Sequence, residues 1–284
     1  MNTPPVVTVI CICYNHARFV EEAIRSVLDQ SYKNIELIVV DDGSTDNSVD
    51  VIRSTGVRLI ALQQNKGYCT AFNEAWKISK GEFIIDLAGD DILTANRIEL
   101  GVKEFSLRDE SFGVQFGDAL YITEDSKKIS LHSDRFPKPA EGNIYPDLVK
   151  RYFICAASMM SRRSVLTMLD GYDETLAYED FDFWIRSSRH FKYFYTSEVL
   201  VLKRIVKGSM SERQFERGSV QQLSTYKVCE KILTLNKSVE ENKALKERVW
   251  YEVRQSLLRM EFGLMLKYGS LLKRILEAGG RSLE

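Results

Sequence analysis

The sequence of 284 residues predicts an α/β fold, in which a mostly parallel mixed sheet is flanked by helices and followed by a C-terminal helical appendage. Four apolar runs rich in β-branched residues alternate with helical patterns along the first third of the chain. This order is typical of a parallel sheet with right-handed crossovers. From about residue 219 the hydrophobic spacing is wholly helical.

The clearest element is Val6–Cys13, a continuous apolar run that indicates a strand buried on both faces. The first half of the fold is predicted to contain strands at Val6–Cys13, Ile35–Val40, Val57–Gln63 and Glu82–Leu87, with helices at Phe19–Gln30, Ser44–Ile52 and Thr70–Ser79. Ser44 or Thr45 is expected to cap the second of these helices. The later predicted elements are helices at Ala95–Leu107, Arg163–Leu169 and Tyr178–His190, and strands at Gly113–Tyr121, Phe153–Ser161 and Tyr193–Leu202.

Charge is distributed unevenly along the chain, although the formal net charge is only −1. Residues 1–202 carry 22 basic and 30 acidic side chains, whereas residues 203–284 carry 17 basic and 10 acidic ones. An acidic first part and a basic last part suggest different partners for the two parts.

Several classes of protein are excluded by the composition and the motifs. Hydrophobic residues make up 44% and charged residues 28% of the chain, the balance of an ordinary globular protein. We expect no transmembrane helix and no secretory signal, because there is no long apolar run and no basic segment at the N-terminus. Five scattered cysteines and three scattered histidines indicate neither a disulfide framework nor a zinc site. We therefore expect a cytoplasmic protein, which could also lie at the inner face of the membrane.

Polar pairs follow three of the predicted strands: Tyr14-Asn15, Asp41-Asp42 and Asp90-Asp91. One such pair alone is explained by a turn or a helix cap. Recurring pairs at one sheet edge favour a ligand site, because ligands bind beyond the carboxyl ends of parallel strands. A dinucleotide-binding enzyme is disfavoured, since neither G-x-G-x-x-G nor a P-loop pattern is present. Adjacent aspartates would instead hold magnesium or manganese, and the ion would bridge a diphosphate.

These motifs match a known family. Val7–Ile52 closely resembles the start of family 2 glycosyltransferases, which have the GT-A fold. Asn65–Leu93 resembles their N-x-G, N-x-A and G-E-Y/F-I pattern with its acidic DxD-type motif, and the resemblance continues at Gly171–Glu174 and Tyr178–Asp182. The resemblance implies an inverting, divalent-metal-dependent enzyme that moves a sugar from a nucleoside diphosphate sugar, expected to be UDP-linked, to an acceptor hydroxyl. The implied product is a bacterial polysaccharide or another glycan.

The resemblance also implies the catalytic and metal-binding residues. Asp180 sits where inverting members keep the general base, and Glu179 is the second candidate. Asp90 and Asp91 sit at the motif that contacts the ribose and binds the metal–diphosphate, with manganese or magnesium as the cation.

The donor site implied by the resemblance includes Tyr14 at the base or ribose and Asp42 as a hydrogen-bond acceptor for the base. The full set of nucleotide-sugar-binding residues is Tyr14, Asn15, Asp41, Asp42, Lys66, Gly67, Asp90, Arg204 and Lys207.

Two positions depart from the family pattern. Ala88 stands where many members have the first Asp of the metal motif, and Val206 stands where many have a histidine. Beside Val206, we hypothesise that Arg204 and Lys207 supply positive charge to the donor diphosphate from a mobile loop. The alternative is that both are solvated charges.

The motifs divide the chain into a GT-A catalytic domain at 1–215 and a C-terminal helical extension at 216–284. The nucleotide-sugar half of the catalytic domain covers about 1–93, and the acceptor half covers about 94–215. Leu257–Leu276 is amphipathic and basic, which indicates either docking on an anionic membrane or packing on the catalytic domain or on a second subunit. The expected partners are the donor and a glycan or lipid-linked acceptor; no nucleic acid is expected.

Two other functions compete with this interpretation. A GT-A-like nucleotidyltransferase is disfavoured, because the glycine-rich phosphate loop typical of those enzymes is missing after the first strand. A catalytically degenerate member, which binds nucleotide sugar or acts as a scaffold, gains weight from Ala88 and Val206.

Overall fold

The computed structural model describes residues 3–136, 141–209 and 216–280, in which nine strands form one sheet. The strands are β1 (Val7–Cys13), β2 (Ile35–Asp41), β3 (Arg58–Ala61), β4 (Phe83–Ala88), β5 (Ile92–Leu93), β6 (Phe112–Ile122), β7 (Lys128–Leu131), β8 (Met160–Arg162) and β9 (Lys192–Arg204). The helices are α1 (Val20–Leu28), α2 (Ser48–Ser54), α3 (Tyr68–Ile78), α4 (Arg97–Ser106), α5 (Tyr145–Lys150), α6 (Arg163–Leu169), α7 (Asp180–Ser187), α8 (Val220–Leu235), α9 (Val239–Leu258) and α10 (Phe262–Gly280).

The sheet order is β3-β2-β1-β4-β8-β6-β9-β5, with β7 paired to β6. Strands β3, β2, β1 and β4 run parallel, as the alternation of strand and helix predicts. Strand β8 lies antiparallel to both β4 and β6, and β6 is parallel to β9. The prediction of a mostly parallel mixed sheet flanked by helices is therefore confirmed, and the carboxyl ends of β1, β2 and β4 meet at one edge.

Strand β1 is buried on both faces, which accounts for its unbroken apolar sequence. Ile10 and Ile12 belong to the core on one face of the sheet, whereas Cys11 and Cys13 belong to the core on the other face. The five cysteines are all buried and free, as predicted.

Helix α2 begins later than predicted. Its start was expected at Ser44, but Ser44 donates from its backbone NH and its hydroxyl to Asp41 instead. Asp46 then accepts hydrogen bonds from the backbone NH and the hydroxyl of Ser48, where the helix begins. Local side-chain hydrogen bonds thus compete with the first helical turn.

The predicted strand Phe153–Ser161 is wrong except at its end. Ala156–Ser158 forms a 3₁₀ turn, and β8 begins only at Met160. The hydroxyl of Ser158 donates to the carbonyl of Cys155 and accepts from the backbone NH of Gly117. The carbonyl of Ser158 is bound by the buried guanidinium of Arg97 at 2.9 Å, so the segment is held by side chains rather than by a strand ladder.

The three C-terminal helices pack on the rest of the chain, which is one of the alternatives that the sequence leaves open for this segment. Val228 of α8, Leu245 of α9 and Tyr268 of α10 share one core with Ile10 of β1. Lys231 of α8 also bridges to Asp182 of α7 at 2.6 Å. Within the described ranges, no helix is both long enough and apolar enough to cross a bilayer.

Candidate active site

The turn after β1 is pinned to the turn after β2 through Asn15. This residue adopts a left-handed conformation (φ 57°), and its side-chain oxygen accepts from the backbone NH groups of Thr45 and Asp46. Its own NH donates to the hydroxyl of Ser44 at 2.8 Å. Asn15 therefore organises the turn, while the neighbouring Tyr14 stays 42% exposed and free to contact a ligand.

Asp41 and Asp42 both hold turns in place. The two oxygens of Asp41 accept from Ser44 at 2.9 and 2.6 Å, and the residue has no exposed surface. The oxygens of Asp42 accept from the backbone NH groups of Lys66 at 2.7 Å and Gly67 at 3.0 Å. Burial raises the pKa of Asp42, and those hydrogen bonds oppose the rise. Gly67 supports this turn with a φ of 91°, which glycine adopts without strain.

The side chains of the adjacent residues Asp90 and Asp91 differ in burial and in their contacts. Asp91 is 1% exposed; it accepts from the backbone NH of Arg204 at 2.9 Å and lies 3.6 Å from the Lys203 ammonium. Burial raises the pKa of Asp91 to about 6, and Lys203 opposes the rise. The carboxylate of Asp90 is partly open and lies 3.9 Å from the imidazole of His16. Asp90 is therefore the accessible member of the pair.

The structure places Arg204 differently from the expectation of a mobile loop. Arg204 ends strand β9, is 4% exposed, and donates to the carbonyl oxygen of Asp90 at 3.0 Å. It also bonds the carbonyls of Thr123 and Glu124 and the carboxylate of Glu22. Its guanidinium is thus engaged by the scaffold. This arrangement does not support a direct contact with a diphosphate.

Lys207 lies beyond the end of β9 and is exposed, as the hypothesis of a charge that reaches the donor requires. Its backbone NH donates to Glu124 at 3.3 Å. The following residues, 210–215, lie outside the described part of the chain.

Glu179 and Asp180 form a carboxyl pair at the start of α7. Burial raises the pKa of both, well above its usual range for Glu179. The negative charge of Asp180 raises the pKa of Glu179 further. Two close carboxyls oppose each other's ionisation, so the pair favours a state in which one carboxyl is protonated and the other is ionised.

A third carboxylate, Asp86, lies next to this pair and was missed by the sequence analysis. It is on β4, where Tyr68 donates to one oxygen at 2.7 Å and Tyr172 to the other at 3.0 Å. Burial raises its pKa to about 7, the two tyrosines oppose the rise, and Asp180 adds to it. The signal in the sequence was a lone charged residue inside an otherwise apolar parallel strand.

Lys203 of β9 provides positive charge among these carboxylates and was also missed. Its pKa is raised, first by Asp91 and to a lesser degree by Asp90 and Asp180. One ammonium thus interacts with carboxylates from the β4–β5 turn and from α7. Lys203 is therefore near both the predicted metal motif and the predicted base.

The described residues contain no group of three or more His, Cys, Asp or Glu side chains placed to hold a metal ion. Of the two aspartates in the metal motif, Asp90 has the partly open carboxylate, and the buried Nδ1 of His16 lacks a hydrogen-bond partner among the described residues. Magnesium is commonly held by one or two carboxylates together with substrate phosphates. The residues therefore fit a cation that binds with the donor diphosphate rather than in a complete protein site.

Comparison with known proteins gives matches across most of the chain. The sequence model of "Glycosyl transferase family 2" matches residues 8–168, more than half of the chain. An uncharacterized glycosyltransferase of Rickettsia typhi is 30% identical over 71% of this chain, and the chain spans 64% of that relative's length. A putative teichuronic acid biosynthesis glycosyltransferase, TuaG of Bacillus subtilis, is 26% identical over 76% of this chain and 85% of its own.

Two solved structures share the fold. The Staphylococcus aureus protein TarS (residues 1–349), in complex with UDP-GlcNAc, superposes with a TM-score of 0.68 at 16% identity, over 96% of this chain and 81% of its own. The mannosyltransferase PcManGT of Pyrobaculum calidifontis, in complex with GDP-Man and Mn²⁺, gives a TM-score of 0.62 at 17% identity, over 98% and 87%. These likenesses show the GT-A type of fold predicted from the sequence.

Proposed function

Since the chain belongs to glycosyl transferase family 2, we propose that it transfers a sugar from a nucleoside diphosphate sugar to an acceptor hydroxyl with inversion at the anomeric carbon. The observation that carries the proposal is the buried carboxyl pair Glu179–Asp180, together with Lys203, which lies 3.6 Å from Asp91 and whose pKa is also raised by Asp180. A glycosyl displacement requires a general base for the acceptor and a group that stabilises the departing diphosphate.

In this proposal Asp180 is the general base. Glu179, whose pKa is raised well above its usual range, keeps the shared proton, and Asp180 is the ionised member. Asp180 accepts the proton of the acceptor hydroxyl as its oxygen bonds to the anomeric carbon. The bond between that carbon and the diphosphate oxygen breaks, and the nucleoside diphosphate leaves with the electron pair. A single displacement of this kind inverts the configuration.

The cation is proposed to be manganese or magnesium. Asp90 is the residue that would hold it, with the donor phosphates as the other ligands. When bound, such an ion neutralises the charge that develops on the departing diphosphate. Asp91 is assigned a supporting part, since it is buried against Lys203 and the backbone of Arg204.

The donor is proposed to be a UDP-sugar, held between Tyr14 at the cleft mouth and the turns organised by Asp42 and Asn15. TarS was solved with UDP-GlcNAc, which supports this class of donor, whereas PcManGT was solved with GDP-Man. The relative TuaG is a putative teichuronic acid biosynthesis glycosyltransferase, which supports a place in bacterial polysaccharide synthesis.

A screen of nucleotide sugars with manganese tests the proposal in two readouts. We expect one UDP-sugar to raise the melting temperature, and the same compound to release UDP slowly in the presence of the metal. Binding without release from any nucleotide sugar would instead favour a degenerate, donor-binding scaffold, the alternative that Ala88 raises. No binding of any nucleotide sugar would contradict both functions.

A further inference from the structure

The outer face of α9 carries a stripe of apolar and basic side chains that the proposed reaction does not use. The members of this outer stripe are Val239, Lys243, Lys246, Trp250, Arg254 and Leu257. Their spacing of three or four residues places them on one side of the helix. All six are exposed, Trp250 to 49% and Leu257 to 54%.

The opposite face of α9 is fixed against the catalytic part. Ala244, Leu245 and Val249 are fully buried in the core. The guanidinium of Arg248 lies 3.8 Å from the ring centre of Tyr152 and 4.9 Å from that of Phe181. The helix therefore cannot turn its outer stripe inward, and the stripe remains at the surface.

The three cations of the stripe form no ion pair among the described residues, although the exposed Glu240 and Glu247 lie near them on the same helix. Within the described part of the chain, Lys243, Lys246 and Arg254 form neither a hydrogen bond nor an ion pair. By contrast, Arg248 of the same helix pairs with Glu252 at 2.9 Å. The unpaired cations are thus available to an external anion.

The apolar part of the surface continues past the end of α9. Leu258 at the end of α9, Met260 in the turn and Phe262 at the start of α10 follow the stripe and are 76%, 59% and 57% exposed. Exposed large apolar side chains in such a group mark an interaction site rather than ordinary surface. A tryptophan and leucines interleaved with lysine and arginine are typical of a helix that lies in the membrane interface.

We propose that the outer stripe and the turn after it dock on an anionic lipid surface. The cations match the negative charge of the lipid headgroups, and the exposed apolar side chains enter the boundary of the acyl chains. Residues 1–202 carry an excess of eight acidic side chains, so repulsion from the same surface orients the molecule with α9 towards it.

A second copy of the chain is the less suitable occupant. A twofold interface would place the stripe against itself and bring the three unpaired cations of each copy close together. Like charges at such short range oppose association. An anionic lipid surface has no such conflict.

The docking surface lies close to the proposed base. Phe181, which Arg248 contacts, follows Asp180 directly, so roughly one helix diameter, about 10–12 Å, separates the stripe from the base-bearing segment. Because of this short distance, docking on a membrane would bring a lipid-linked acceptor close to Asp180. That consequence rests on the proposed function, whereas the docking itself does not.

Vesicle co-sedimentation of the full chain tests the inference. We expect binding to vesicles that contain phosphatidylglycerol, weaker binding in high salt, and little binding to pure phosphatidylcholine. The triple variant Lys243→Glu, Lys246→Glu, Arg254→Glu should lose at least about a hundredfold in partition, because each cation near the surface contributes roughly a factor of five. The matched control Lys77→Glu, Lys80→Glu, Lys103→Glu changes the same charge elsewhere and should bind like the wild type.

The apolar part is tested by Leu258→Ser combined with Phe262→Ser, which should weaken the binding that persists in high salt. Circular dichroism and retained binding of the donor would show that the variants are folded, and they separate a failure of docking from a failure of the proposed function. Equal binding by the basic-stripe variant and its control would overturn the inference. So would no binding of the wild type to anionic vesicles, or a dimer in light scattering that the triple variant converts to monomer.

Discussion

The guanidinium of Arg204 donates from Nε to the main-chain oxygen of Asp90 at 3.0 Å, so the end of the strand β9 holds the turn that carries the accessible cleft carboxylate. The same side chain reaches Glu22 of α1 and the carbonyls of Thr123 and Glu124. One buried arginine thus ties three segments together behind the site, and its effect on activity should be indirect.

Replacement of Arg204 by alanine should therefore lower stability first. We expect a loss of about 2–4 kcal/mol in the free energy of unfolding, because several buried acceptors lose their partner. The exposed Lys207 is the matched comparison, and Lys207→Ala should leave stability within about 0.5 kcal/mol of the wild type. Urea denaturation measures both, and equal stability of the two variants would contradict the scaffold role of Arg204.

Substitutions of the adjacent residues Asp90 and Asp91 should have different effects, one on metal-dependent binding of UDP and the other on stability. Asp90→Asn should abolish the part of the thermal shift with UDP that depends on manganese, while the stability of the free protein stays near that of the wild type. Asp91→Asn should lower the melting temperature of the free protein, because it removes the buried partner of Lys203. The reverse pattern would return the metal-binding role to Asp91.

Asp86 should make stability depend on pH in a defined direction. Its pKa is raised from 3.8 to about 7, so the folded protein binds this proton more tightly than the unfolded chain does. The contribution of the proton to stability is complete at low pH and is lost as pH rises from about 4 through about 7. Asp86→Asn, which cannot ionise, should lack this loss.

The prediction for Asp86 is tested by measuring the free energy of unfolding of the wild type and of Asp86→Asn from about pH 4 to about pH 7. The difference between the wild type and Asp86→Asn should change by up to about 4 kcal/mol, since one pKa unit corresponds to about 1.4 kcal/mol. Parallel curves for the two proteins would show that Asp86 titrates as an ordinary surface carboxylate.

The sequence predicted the elements whose signal is local. A buried parallel strand needs a continuous apolar run, and Val7–Cys13 carries one. Turns after such strands must meet at one sheet edge, so the positions of Asp42 and Asp90 followed from topology alone. The family resemblance added the pair Glu179–Asp180, which spacing alone could have explained as a helix cap.

The remaining features depend on contacts between distant parts of the chain. Asp86 is held by Tyr172, which is 86 positions away in the sequence, and no local pattern joins the two. Arg204 was placed in a mobile loop as a hypothesis drawn from the family's segment around Val206, whereas pairing with β6 extends β9 to Arg204 itself. The interaction of Lys203 with Asp91, and with Asp180 of α7, likewise depends on the tertiary structure and not on a local sequence pattern.

The most direct test of the account is sugar transfer by Asp180→Asn, followed as the release of UDP from the preferred UDP-sugar with an acceptor present and measured beside donor binding. We predict that transfer to acceptor falls by about 10²–10⁴-fold, the usual contribution of a general base, while the affinity for the donor with manganese is kept. Asp109 is an exposed carboxylate outside the proposed site, so the matched variant Asp109→Asn should retain full activity. Transfer by Asp180→Asn at the rate of the wild type would contradict the assignment of the base and with it the proposed mechanism.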